Sequence, residues 1–209
     1  MELTYGRYLK VEELLQLQQP LSEGPEHDEM LFIIIHQVYE LWFKQILHEL
    51  EKLKSSFQEG ERGKALHTLK RIRSILKVLV SQVDVLETMT PLEFLSFRER
   101  LQSASGFQSC QFRELEFTLG LKNPKHLEHY PQGSEERNRL EKKMEEPSLW
   151  EVFLQFLSSL GHDSPKLKEG GRPSEPPDSS EDIQDLLEKI YRNHPDSALV
   201  CEMLTDLDE

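Results

Sequence analysis

Apolar side chains recur at three- and four-residue intervals along most of this 209-residue chain, and no stretch alternates singly between apolar and polar. That spacing predicts helices and no strands. The longest regular segment runs from His27 to about Glu59 without Gly or Pro, and Asp28 and Glu29 put negative charge where a helix dipole favours it. Its centre, MLFIIIHQV, is apolar nearly all the way round, which predicts burial on most sides. In its second half Leu41, Trp42, Ile46, Leu47, Leu50 and Leu53 narrow to one stripe, which predicts partial exposure there. Gly60 and Gly63 bracket a turn. Leu66, Leu69, Ile72, Ile75, Leu79, Val83 and Leu86 then mark a second long helix, from about Lys64 to Thr88.

The remaining elements are shorter. Thr90-Pro91, with Glu93 at the third helical position, is a helix-start signature, and that helix should run to about Leu101 before SASG breaks it. A helix from Phe107 to about Leu119 can be capped by Gly120. Residues 121–135 read as loop, followed by helices from about Ser134 to Glu146 and Ser148 to Leu160. Gly161 to Ser180 holds four Pro and three Gly in twenty residues and reads as a mobile loop. Helices from about Glu181 to Arg192 and from Pro195 onward finish the chain. At the other end, residues 4–20 read as a short arm plus a helix from Lys10 to about Gln18, stopped by Pro20. The expectation is one all-α domain over 1–209: an N-terminal arm (1–25), core helices (27–123) and C-terminal helices (181–209) in a bundle of long antiparallel helices.

The last segment, Thr205-Asp206-Leu207-Asp208-Glu209, puts three acids where a helix dipole disfavours them. Two readings stand: the end frays, or the helix belongs to a longer parent sequence.

Composition narrows the partners. The net charge of −13 repels phosphate backbones and anionic membranes, so neither nucleic acid nor membrane is expected. No run approaches the roughly 18 apolar residues of a membrane span. The opening MELTYGRYLKVEE lacks the pattern of a secretory signal, and Cys110 and Cys201 form no CxxC pair. A reducing, cytoplasmic setting with two free thiols is expected.

Few side chains suggest chemistry. His36 sits in an apolar run, with Phe32 one turn before and Glu40 one turn after. A buried imidazole needs a partner. It is either a core histidine satisfied by Glu40 or by a backbone carbonyl, or a neutral imidazole facing an apolar pocket. Arg98, in FLSFR, either covers apolar surface with its stem or clamps a carboxylate. Ser103 to Gln108, small residues before a helix, could leave backbone N–H groups free for a ligand. His126 and His129 form an HxxH without a third ligand, and His48 and His67 lie on helix faces, so no metal site is expected.

Three blocks taken together carry more. TYGRYL (4–9), HDEMLFIIIHQVYELWFKQILHELE (27–51) and TPLEFLSFRERLQSASGFQSCQFRELEFTLGLKN (90–123) resemble the signature blocks of the tryptophan 2,3-dioxygenase family, in order and at similar separations. The resemblance implies a tryptophan/indoleamine dioxygenase-like fold and a haem-dependent oxidoreductase, cytoplasmic and homotetrameric. The enzyme would insert both atoms of O2 into L-tryptophan to give N-formyl-L-kynurenine, the first step of the kynurenine pathway of tryptophan catabolism. It assigns Phe32, Ile33, Ile34, Ile35 and His36 to the substrate pocket, with His36 hydrogen-bonding the indole N–H. Arg98 would pair with the substrate carboxylate, Phe94, Leu101 and Ser105 would line the pocket, and Tyr5 and Tyr8 would reach into a neighbouring subunit's site. The family's axial haem histidine is expected beyond Glu209, so the chain should carry the substrate side of the site, bind haem weakly and turn over little. The alternative is a non-catalytic helical relative that binds an indole compound, or serves assembly, without haem. A relative oxidising another indole or aromatic amine fits less well, because Arg98 favours an amino-acid substrate.

Overall fold

A computed structural model describes residues 3–24, 26–102, 104–164 and 181–207. Among them are ten α-helices and no strand. Two short helices, α1 (Tyr5–Leu9) and α2 (Val11–Leu14), form the arm. The framework is α3 (His27–Gln58) and α4 (Arg62–Leu86), of 32 and 25 residues. Then come α5 (Pro91–Arg98), α6 (Cys110–Leu119), α7 (Glu135–Glu145), α8 (Leu149–Ser159), α9 (Glu181–Asn193) and α10 (Pro195–Thr205). From residue 165 on, the mobile loop expected over 161–180 lies outside the described residues.

The long pair is an antiparallel hairpin. Gln82 Nε2 donates to the Ile35 carbonyl (3.2 Å), the Tyr39 hydroxyl to the Leu79 carbonyl (2.7 Å) and Arg71 Nη1 to Glu49 Oε1 (3.0 Å), so positions fall on α4 as they climb on α3. The turn between them passes through Gly60 at φ +72, a backbone that glycine takes without strain. Near this closed end lies the main core. Leu50, Leu53 and Phe57 of α3, Leu69 and Ile72 of α4, and Phe153 and Phe156 of α8 are all buried there, and α9 and α10 add Ile190 and Val200. Phe57 meets the rings of Phe153 and Phe156 at 5.7 and 4.9 Å. A second, smaller cluster of Phe117, Tyr130 and Leu140 joins α6 to α7.

Four expectations are corrected. The helix expected over Lys10–Gln18 covers only Val11–Leu14, and the arm before it holds a helix of its own over Tyr5–Leu9, the two parted where Lys10 turns left-handed (φ 51, ψ 47). Residues 121–135 are not all loop: Asn123 caps a 3-10 helix over Pro124–His129. The helix expected from Phe107 starts at Cys110, where the Ser109 hydroxyl accepts from the Phe112 N–H (3.1 Å). The burial profile of α3 is reversed. Its first half is mostly half-exposed, with Met30 and Ile34 open to solvent and only Glu29 and Ile35 buried before Ile46, while its second half is the most deeply buried part. The reason is coverage. The α4 helix runs along both halves, but α8 closes over the second, whereas α5 and the arm cover the first on some sides only.

The caps agree with the sequence. Thr90 and Glu93 form a capping box on α5, as do Ser148 and Glu151 on α8. The acidic end of α10 has a partner: Asp206 pairs with Arg73 of α4. Among the described residues no helix is long and apolar enough to cross a membrane.

Candidate functional site

The first half of α3 carries the arm and α5 on its flanks. Glu29, buried at 1% exposure, accepts the Leu21 N–H (2.7 Å) and the Ser22 N–H (3.0 Å). Burial alone would raise its pKa. Hydrogen bonds from Ser22 and Leu21, with the nearby Arg100 charge, outweigh that and hold the carboxyl below its usual range. Two turns on, Gln37 donates to the Leu17 carbonyl (3.0 Å) and accepts from Gln18 Nε2 (2.5 Å). The chain between α2 and α3 is thereby laid along α3.

His36 lies on this stretch. Its Nδ1 is 2.7 Å from the Phe32 carbonyl oxygen. A carbonyl can only accept, so Nδ1 carries the hydrogen, and in the neutral ring Nε2 presents a lone pair. Glu40 is engaged elsewhere: Gln111 of α6 donates to its carboxylate (2.7 Å) and to its carbonyl (3.0 Å). Of the two partners the sequence allowed for the imidazole, the structure selects the backbone carbonyl.

Beside His36 stands an aromatic cluster. The Phe32 ring lies 4.1 Å from the imidazole, 5.9 Å from Phe94 and 5.6 Å from Phe97. Phe94 and Phe97 are edge to face at 5.5 Å. Arg98 is one turn past Phe94 on α5, hence on the same helix face. Its side chain is exposed, and Nη1 donates to the Gln102 carbonyl (3.2 Å). Gln102 pays for this arrangement with a left-handed φ of 51 at ψ −117, a backbone rarely adopted by any residue but glycine.

The structure thus brings together Phe32, His36, Phe94 and, on the adjoining turn of α5, Arg98. Leu101 follows, half-buried, in the 3-10 turn Glu99–Leu101. Ile33 is half-buried, Ile35 is buried with its carbonyl accepting from Gln82 of α4, and Ile34, two residues from both Phe32 and His36, projects to the opposite side of α3. Ser105 is exposed, and its N–H donates to Gln108 Oε1 (3.3 Å). The Ala104 N–H likewise bonds the Leu101 carbonyl, so these backbone donors are used within the loop instead of awaiting a ligand. Tyr5 and Tyr8 lie on α1 at 78% and 72% exposure, and neither is among the rings that pack with Phe32. Phe97, in the same FLSFR string, escaped the sequence reading; its three-residue spacing from Phe94 was the available signal.

The other titratable groups lie apart. His162 and His194 stack edge to face at 4.6 Å, and His162 Nε2 is 3.1 Å from the Ser197 hydroxyl. Burial lowers the pKa of His162, and the His194 charge adds to that. His126 packs on Phe117, and His67 Nε2 accepts from Arg71 (3.2 Å). Burial pushes the Cys110 and Cys201 thiols up to about 11, which keeps them protonated. Hollows of about 370 and 420 Å³ lie against α8, α9 and α10, and none of the candidate residues lines them. Among the described residues no group of three or more His, Cys, Asp and Glu could hold a metal ion.

Comparison with known proteins adds the context. A family signature described as Tryptophan 2,3-dioxygenase matches residues 1–173. A protein of Herpetosiphon aurantiacus named tryptophan 2,3-dioxygenase is 52% identical over 207 residues, 99% of this chain and 79% of that protein. One of the same name from Anaeromyxobacter sp. strain K is 51% identical over 211 residues, 99% of this chain and 77% of its own length. A more distant one, from Xanthomonas oryzae pv. oryzae, is 41% identical over 209 residues and covered to 70%.

Proposed function

The chain belongs to the tryptophan 2,3-dioxygenase family, and from that premise we propose that it serves the reaction its relatives are named for. L-tryptophan and O2 become N-formyl-L-kynurenine by oxygen insertion across the indole C2–C3 bond. One observation carries the reading: an imidazole with its tautomer fixed by the Phe32 carbonyl, beside an aromatic wall, with a guanidinium on the adjoining turn of α5.

Each group has one task. The Nε2 lone pair of His36 accepts the indole N–H, and Phe32 and Phe94 give the ring an apolar bed. The Arg98 guanidinium pairs with the substrate carboxylate through N–H groups other than the one given to Gln102. Two anchors at opposite ends of one small substrate fix its orientation, and orientation is where a protein of this kind contributes to rate. Ile33, Ile35, Leu101 and Ser105 border this site in the proposal, and Ile34 belongs to its outer side. The exposure of Tyr5 and Tyr8 supports a role in a neighbouring copy's site within a homotetramer.

The cofactor proposed is haem. The described residues offer an apolar wall and one imidazole on one side, and they supply no axial ligand there. His27 is about 13 Å of helix before His36 and His48 about 18 Å after it, while His162 and His194 are engaged with each other and with Ser197. A cytoplasmic setting and a place at the head of tryptophan breakdown complete the proposal.

Calorimetric titration with L-tryptophan, with product detected by mass spectrometry after haem is added, tests it. His36→Ala and Arg98→Ala should each weaken tryptophan binding about tenfold, the loss of one hydrogen bond to a neutral or charged partner. Binding that survives both substitutions unchanged would put the site elsewhere.

A further inference from the structure

The α5 helix is exposed along nearly its whole length. Leu92 and Leu95 face solvent, as do Glu93, Ser96 and Arg98, and Phe94 is half-buried. Phe97 is its one buried residue, at 0% exposure. Its ring meets Phe32 at 5.6 Å and 62°, and Phe94 at 5.5 Å and 87°. Both are edge-on contacts of the kind in which a ring's positive rim meets its neighbour's negative face. Phe97 therefore stands behind the two aromatics that bed the indole in the proposed site. It is also the immediate neighbour in sequence of Arg98, the proposed carboxylate anchor.

A short helix fastened by one buried side chain takes its position from that side chain. We propose that Phe97 is a positioning residue for substrate specificity: it sets α5 against α3 and so fixes the span between the Arg98 guanidinium and the His36 imidazole to the length of an amino acid carrying an indole. The inference rests on the reading of His36 and Arg98 as the two anchors and adds what holds them at working separation. The size of the ring matters, because a smaller side chain lets α5 settle toward α3 or rock about its Thr90 cap, and either motion moves Arg98. Phe94 travels with α5, but Phe32 and His36 belong to α3 and their own contact does not pass through Phe97, so a ligand that uses only the indole bed keeps that half of it and loses less than one that also needs Arg98.

That asymmetry gives the test. Tryptamine is tryptophan without its carboxylate, so the ratio of tryptophan to tryptamine affinity reads the Arg98 anchor, while tryptamine alone reads the indole bed. In the unaltered chain the ratio should be about tenfold or more. Phe97→Leu should bring it below about threefold while tryptamine affinity changes less than about twofold. Phe97→Met, similar to Leu in volume but longer, flexible and able to put its sulfur against the Phe32 and Phe94 rings, should fall between. Phe57→Leu, in the main core, serves as the control for general loosening: it should lower the melting temperature and leave the ratio alone. If Phe97→Leu and Phe97→Met keep the full ratio, or weaken both ligands alike, Phe97 only fills space and the inference fails. If the unaltered chain shows no preference for tryptophan, the anchor reading of Arg98 fails, and this inference with it.

Discussion

Phe57 and Ile34 belong to one uninterrupted helix, yet Phe57 is 1% exposed and Ile34 is 42% exposed. Toward Phe57, α3 is closed in by the turn at Gly60, by α4 and by α8, and even polar residues such as Glu49, Lys54 and Ser56 are buried. Toward Ile34, α3 and the far end of α4 stay paired but are less covered, with Met30 on one and Val80 and Val85 on the other facing solvent. Stability is concentrated at the closed end. The open end holds His36, the aromatic cluster and Arg98. A helix apolar all round thus need not be buried all round: some of its faces are left for a ligand or a second chain.

Substitution in the two halves should separate these roles most clearly. Phe57→Ala removes a ring packed on Phe153 and Phe156 and should cost about 3–5 kcal/mol of unfolding free energy. Ile34→Ala should cost less than about 1 kcal/mol, because much of the side chain already meets water. Denaturant titration measures both. Equal losses would erase the distinction. A loss at Ile34 that grows with protein concentration would sharpen it, because it would place that face against a second copy.

A smaller effect divides the open end by pH. Glu29 holds the arm through the Leu21 and Ser22 N–H groups, and its folded pKa lies below the ordinary carboxylate value. A depressed pKa contributes stability that is present above the unfolded value, about 4.3, and is lost as pH falls through the folded one. Hydrogen-exchange protection of the Leu21 and Ser22 amides should therefore be level from pH 7 to 5 and disappear under more acidic conditions. Glu29→Gln should lower it about tenfold between pH 7 and 5 and remove its dependence on pH. Protection that persists in the glutamine variant would show that the arm is held by other contacts, such as Gln18 with Gln37.

Much of this was legible in the chain. The two long helices, the Thr90-Pro91-Glu93 start and the Ser148 start follow from periodicity and capping, which are local properties. The pairing of His36 with Phe32 could be anticipated from their four-residue spacing, the FLSFR string singled out Arg98, and the resemblance supplied Phe94. What escaped depends on distant partners. Whether MLFIIIHQV is covered is decided by where the arm and α5 settle, which no property of that run encodes. Asp206 at the end of α10 looks misplaced until Arg73, more than a hundred residues earlier, arrives beside it. Glu29 read as a dipole-favoured acid, and it is also the buried anchor of the arm.

The smallest expected effect compares the turns at the two ends. At the closed end the chain reverses through Gly60 at φ +72, where glycine pays no steric cost. At the open end it turns through Gln102 at φ 51 and ψ −117, a conformation that opposes any side chain, and it is the carbonyl of this residue that accepts from Arg98. Gln102→Gly should relieve the strain and raise stability by about 0.5–1 kcal/mol after the added freedom of the unfolded glycine is set against the gain. In a domain of this size that is about 1–4 °C in melting temperature. If the strained turn also serves to hold the guanidinium, the same variant should lose affinity for tryptophan and keep it for tryptamine, so that stability and specificity move in opposite directions. A gain in both would mean that the turn is merely tolerated, and that the closed and open ends of the hairpin differ in coverage alone.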